Sequence, residues 1–151
     1  MDEKLQTLLN DQVISEYGAS MVYTQLAFEM DNLSFPGMRD WFYAQAEKER
    51  VHAQKFAQHL IDRGERVTPH TITIDAPTIT GPLDAFKAAL AHERKVSEQI
   101  RAITRLADEA RLDFAQDERV LAELVLDIAD DPRFVASLAA LSGRVATVPM
   151  T

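Results

Sequence analysis

The sequence contains no cysteine. That excludes disulfides, thiolate zinc sites, Cys-ligated iron–sulfur centres and a cysteine nucleophile together. It has no apolar run near the ~18 residues that a membrane span needs. Its start, MDEKLQTLLNDQ, mixes charges with apolar residues and does not read as a signal peptide. A cytoplasmic protein with no membrane partner is expected. Cationic residues are also short: 16 Lys+Arg stand against 24 Asp+Glu, a net charge of −8. Nucleic-acid binding normally needs a basic face, so nucleic acid is not expected as a partner. An acidic chain draws cations instead. What is present is a globular balance, 46% hydrophobic and 26% charged, in 151 residues. That fits one domain with one core, residues 1–151.

Five glycines and six prolines are few, and they fall between helical patterns. Leu5, Leu8, Leu9, Gln12, Val13, Tyr17, Met21, Leu26 and Met30 recur at spacings of three to five. They predict a helix over about 3–32. Pro36 suits the first turn of a second helix, and Gly64 its C-terminal stop, which gives about 36–63. Residues 65–81, with two prolines, five threonines and three isoleucines, read as a crossover. A short strand within it stays open. Pro82 opens a third helix to about 111. Asp113 and Gln116 resemble a capping box for a fourth over about 114–142. Asp131-Pro132 predicts a kink near 129–132.

Two tight helix pairs joined by a long crossover make an all-α fold. They describe a four-helix bundle of the ferritin-like arrangement, with the second and third helices parallel.

Polar residues inside the apolar stripes carry the chemistry. Glu49 and His52 lie three apart on one helical face. Glu16 sits within the first stripe, and Glu93 between Leu90 and Val96. A lone buried carboxylate is costly, so each needs a partner. Glu49 and His52 follow Glu16 by 33 and 36 residues, while Asp127 and Asp130 follow Glu93 by 34 and 37. The same three-residue step in both halves describes a carboxylate-bridged dinuclear metal site. The plain alternatives are a solvated face for Glu49 and His52, a helix cap for Asp130, and simple core packing for Tyr23. His59, His70 and His92 read as surface residues. Tyr17, Trp41 and Phe42 read as packing residues, with an interface on the outer faces of the first two helices.

The stretches LNDQVISEYGASMVYTQLA, FYAQAEKERVHAQKFAQHLIDRG and AHERKVSEQI resemble non-haem bacterial ferritin. The resemblance implies that Glu16, Glu49 and His52 hold a first iron. It implies that Glu93 holds a second, with Glu49 bridging and Tyr23 beside the centre. It implies ferroxidase activity: two Fe(II) per subunit are oxidised by O2 or peroxide, and Fe(III) is stored in a homo-oligomer, a 24-subunit shell. Where the family carries Gln and Glu in its fourth helix, this chain has Asp127 and Asp130. The second iron is therefore expected to be held more loosely. Lys48 replaces an acid of a third iron site. A family-type fifth helix is not expected after Gly143. Arg50 stands where the related bacterioferritin has a haem-ligating Met, so no haem is expected. Two other readings stay open: a non-storing di-iron oxidase or peroxide-detoxifying dimer, and a structural subunit with a degraded metal site. Manganese and zinc remain alternatives to iron.

Overall fold

Asp2 begins the first helix. Its carboxylate accepts from the backbone N–H groups of Lys4 and Leu5 at 3.0 and 3.1 Å, satisfying donors that the first turn leaves open. The computed structural model describes residues 1–75 and 77–109. Three helices are present there: α1 (Glu3–Asn32), α2 (Pro36–Ile61) and α3 (Pro82–Glu109). The fourth helix expected over 114–142, and the kink near Pro132, lie outside the described residues.

The turns follow from a few backbone positions. After α1 the chain reverses through Ser34, which adopts φ 63. There the Phe35 N–H donates to the Met30 carbonyl at 2.8 Å. Pro36 then fills the first helical position, where its missing N–H costs nothing. Helix α2 closes two residues earlier than expected, at Ile61. Asp62 and Arg63 form the turn that ends on Gly64, whose φ of 76 is the left-handed conformation glycine adopts freely. At the start of α3, Asp84 accepts from both the backbone N–H and the hydroxyl of Thr80, at 3.0 and 2.7 Å.

The crossover forms no strand among the described residues. It is a strap laid along α1. Asn10 binds it twice, donating to the Thr68 carbonyl at 3.0 Å and accepting from the Thr68 N–H at 2.8 Å. His70 pairs with Asp11 at 3.2 Å. Farther along, Ile72 lies against Gly18, and Ile79 packs on the same apolar cluster as Val22. The strap therefore runs in the same direction as α1 and delivers the chain to the far end of the bundle. Helix α3 returns antiparallel to α1 and parallel to α2, as the crossover reading requires.

Two apolar layers hold the helices together. One contains Leu5, Leu9, Val13, Phe56, Leu60, Val96 and Ile103, among others. The other contains Tyr23, Leu26, Met30, Phe42, Ala46, Ala85 and Ala89. Full burial of such an aliphatic or aromatic side chain is worth ~1.5–3 kcal/mol.

Trp41 and Phe42 are packing residues, as read from the sequence, but they pack inside the bundle rather than at an outer-face interface. Phe42 is fully buried, with its ring 5.3 Å from that of Phe86, and Trp41 packs against both. Tyr17 is half-buried against the first layer. His59 is buried rather than on the surface, since it shares the inward face of α2 with His52 and Phe56. His70 is exposed, as expected.

Candidate metal centre

Between the two apolar layers lies a polar layer built from all three helices. Helix α1 contributes Gln12 and Glu16, α2 contributes Glu49 and His52, and α3 contributes Glu93. All are buried: Glu16 is 0% exposed, Glu49 2% and Glu93 7%. Helical periodicity puts them there. Glu16 lies three residues after Val13 and seven before Tyr23, on the stripe that faces the core. Glu49 and His52 continue the line of Ala46 and Phe56.

Glu16, Glu49 and His52 each offer one ligand atom, all within 4.8 Å of one another. His52 Nδ1 stands 3.3 Å from Glu49 Oε2 and 3.9 Å from Glu16 Oε2. Two carboxylates and an imidazole are a hard, mixed O/N set that suits iron, manganese or zinc. Among the described residues Glu16 Oε2 has no hydrogen-bond partner, although it is shut away from solvent. Its other oxygen accepts from Gln12 Nε2 at 2.6 Å. Glu93, from α3, is engaged by Tyr23, whose hydroxyl donates to Glu93 Oε1. The predicted residues Glu16, Glu49, His52 and Glu93 thus share one layer, and Tyr23 reaches it from the adjoining apolar layer through its hydroxyl. Asp127 and Asp130 lie outside the described residues.

The electrostatics of the layer are set by burial and by the closeness of its acids to one another. Burial, and then the neighbouring Glu49, push the Glu16 carboxyl well above the usual carboxylate range. Burial raises Glu93 from 4.5 to about 7, against the opposing hydrogen bond from Tyr23. Burial and the charge of Glu93 hold the Tyr23 phenol well above its ordinary value. Glu49 goes the other way: burial pushes it up, but the hydrogen bond and charge of His52, with the neighbouring Glu16 and the charge of Lys48, prevail and lower it. A bound divalent cation would reverse the burial penalty for all three carboxylates.

Two residues escape a reading of the sequence alone. Gln12 sits in the apolar stripe and looks like packing. Its signal is the four-residue step to Glu16. His92 was expected on the surface and is half-buried, its ring edge against Tyr23 at 5.8 Å between centroids. It also lines a cavity of about 450 Å³ beneath the strap, together with Ser15, Gly18, Ile72 and Lys95. Arg50 points away from the layer and makes a two-pronged ion pair with Glu47 at 2.6 and 2.9 Å.

Comparison with known proteins agrees with this arrangement. The family profile described as the Ferritin-like domain matches residues 6–118. The chain is 40% identical over 111 residues to "Ferritin BfrB" of Mycolicibacterium smegmatis, covering 74% of this chain and 60% of that one. It is 33% identical to "Bacterial non-heme ferritin" of Bacteroides fragilis, covering 76% of this chain and 74% of that one. Among solved structures, Chlorobium tepidum ferritin superposes with a TM-score of 0.83 at 20% identity, over 98% of this chain and 90% of that one, a likeness of fold alone. An engineered closed form of Archaeoglobus fulgidus ferritin superposes with a TM-score of 0.73 at 26% identity, over 100% and 99%. The chain spans about 60% of the length of the mycolicibacterial relative.

Proposed function

The chain belongs to the ferritin family, and from that premise we propose that it binds Fe(II) in its polar layer, oxidises it and stores the Fe(III) produced. The observation that carries the reading is the buried Glu16–Glu49–His52 cluster, three ligand atoms within 4.8 Å between two apolar layers. Buried acids without a countercharge are costly, and a divalent cation removes that cost.

In this reading Glu16, Glu49 and His52 take the first Fe(II). Glu93 and the shared Glu49 take the second, with Asp127 and Asp130 as further candidates. Each Fe(II) gives up one electron. O2 accepts two electrons and two protons to become hydrogen peroxide; peroxide accepts two of each to become water. Glu16 and Glu93 hold protons in the metal-free bundle and release them when iron binds. Glu49 remains anionic and lies between the two positions. Tyr23 keeps its proton and fixes one oxygen of Glu93, which orients the other toward the second iron. The apolar layers above and below limit water at the centre.

Copies of the chain associate through the outer faces of α1 and α2, and a 24-subunit shell holds the mineral. Met21 and Phe28, seven residues apart on α1, and Tyr43 on α2 are exposed, with the Phe28 and Tyr43 rings 6.4 Å apart edge to face. Such a patch supports a contact between chains at this face. No helix among the described residues is long and apolar enough to cross a membrane.

The test is to add two Fe(II) per chain to the metal-free protein in air and follow ferric absorbance. Oxidation faster than buffer, lost in Glu49→Ala, supports the reading. A rate equal to buffer refutes it.

A further inference from the structure

We propose that Gln12 is a positioning residue of the metal centre, which claims one oxygen of Glu16 and leaves the other as the metal ligand. This rests on the metal-binding reading above and deepens it. Gln12 is only 2% exposed, on the same inward face of α1 as Glu16 and one turn before it. Its Nε2 donates to Glu16 Oε1 at 2.6 Å. Among the described residues the second oxygen, Oε2, receives no donor, and it is the one that faces His52 Nδ1 at 3.9 Å. One carboxylate therefore has a satisfied end and a donor-free end, and the donor-free end points into the ligand cluster.

The chemistry explains why an amide suits this place. A buried carboxylate with no fixed partner can rotate about its terminal torsion, which is broad. It can then present either oxygen, or both, to a metal. A donor on one oxygen removes that freedom, so Glu16 ligates through a single atom in a fixed direction. Lysine or arginine would also fix it, but their charge would repel the incoming cation at close range. Serine or threonine at the same position would be too short to reach. Glutamine gives a neutral donor of the right length on the buried face of α1. Partners that orient metal ligands in this way are worth ~10–100-fold in metal affinity.

The test uses the full-length metal-free chain and Co(II) as probe, titrated anaerobically and followed by its d–d absorption. Gln12→Met keeps volume and removes the donor. Gln12→Asn keeps an amide but draws it back by one methylene, beyond reach of Glu16. Both are expected to bind Co(II) at least tenfold more weakly. Both should also change the shape of the d–d envelope, because Glu16 is freed to offer both oxygens. A residue that merely packs would not move that spectrum. If Gln12→Met fails to fold, Gln12→Asn carries the test alone. Wild-type-like spectra and affinities within twofold would overturn the proposal. A separate control, Glu49→Ala, keeps the two readings apart. If it loses Co(II) while the Gln12 variants do not, only the role of Gln12 fails. If wild type binds no Co(II), the metal centre itself fails.

Discussion

The Tyr23 hydroxyl donates to Glu93 Oε1, tying α1 to α3 across the polar layer. Both groups are buried, so the hydrogen bond has no competitor in solvent. Tyr23→Phe leaves a buried carboxylate oxygen without its donor, at a cost of ~1–3 kcal/mol to the metal-free fold. It also frees Glu93 to rotate. We expect Fe(II) oxidation to slow by roughly tenfold, the range seen when an outer partner of a metal ligand is removed. Binding of the first metal should be unchanged. Equal oxidation rates for Tyr23→Phe and wild type would remove Tyr23 from the chemistry.

The pH dependence of the metal-free fold follows from the raised carboxyls. Glu93 holds its proton up to about 7, against 4.5 ordinarily, because it is buried. Between those values the folded chain binds more protons than the unfolded one, so stability falls as pH rises. The Glu93 contribution is present in full below about 4.5 and gone above about 7, a difference of roughly 3 kcal/mol. Glu16, also raised by burial, acts in the same direction. Glu49, lowered overall, favours the fold above the ordinary carboxylate range and loses that effect only in acid. Thermal unfolding of the metal-free chain is therefore expected at a higher temperature at pH 5.5 than at pH 8. Saturating Zn(II) should abolish the difference at pH 8 by taking the place of the protons. A metal-free chain more stable at pH 8 would contradict this account of the layer.

Gly18 is where the strap presses on α1. A Cβ there would lie 3.3 Å from Ile72 Cγ2, close enough to require a shift of a few tenths of an ångström. Ile72 is itself 42% exposed and belongs to the crossover, so it can yield. The helix-propensity gain of alanine over glycine, ~1 kcal/mol, should then win, and Gly18→Ala should raise the melting temperature by a few degrees. Gly18→Leu cannot be accommodated by so small a shift and should lower it. Destabilisation by alanine would mean that the strap is held more rigidly than its two hydrogen bonds to Asn10 and the His70–Asp11 pair indicate.

Charges placed on the exposed α1–α2 patch test the association of chains. Phe28→Glu combined with Tyr43→Glu should shift the sedimentation mass toward that of one 16.9 kDa chain. A wild-type mass near that value would itself contradict association.

Much of this molecule is legible in its sequence. The bounds of α1 coincide with its apolar stripe and with Asn32 before Pro36. The site residues Glu16, Glu49, His52 and Glu93 are legible for one reason: an ionisable group in an apolar stripe must have a partner. Gln12 is not legible in that way, because an amide costs less to bury and raises no such demand. Trp41 and Phe42 show a second limit. Helix α2 is apolar on two sides, and a stripe alone does not say which side faces the core. Phe42 turned inward and Tyr43, one residue on, turned out. His59 was readable, since His52, Phe56 and His59 fall on one helical face. Reading each histidine singly hid it.

The proposed function requires a metal in the space between Glu16 Oε2, Glu49 Oε2 and His52 Nδ1. Diffraction at the iron absorption edge, on crystals loaded with Fe(II) under anaerobic conditions, tests it most directly. The account predicts a strong anomalous peak within bonding distance of those three atoms. It also predicts a weaker peak on the Glu93 side, made weaker still by Asp127→Ala, because an Asp side chain reaches roughly 1.5 Å less far than a Glu. No peak among Glu16, Glu49 and His52 in iron-loaded crystals would contradict it.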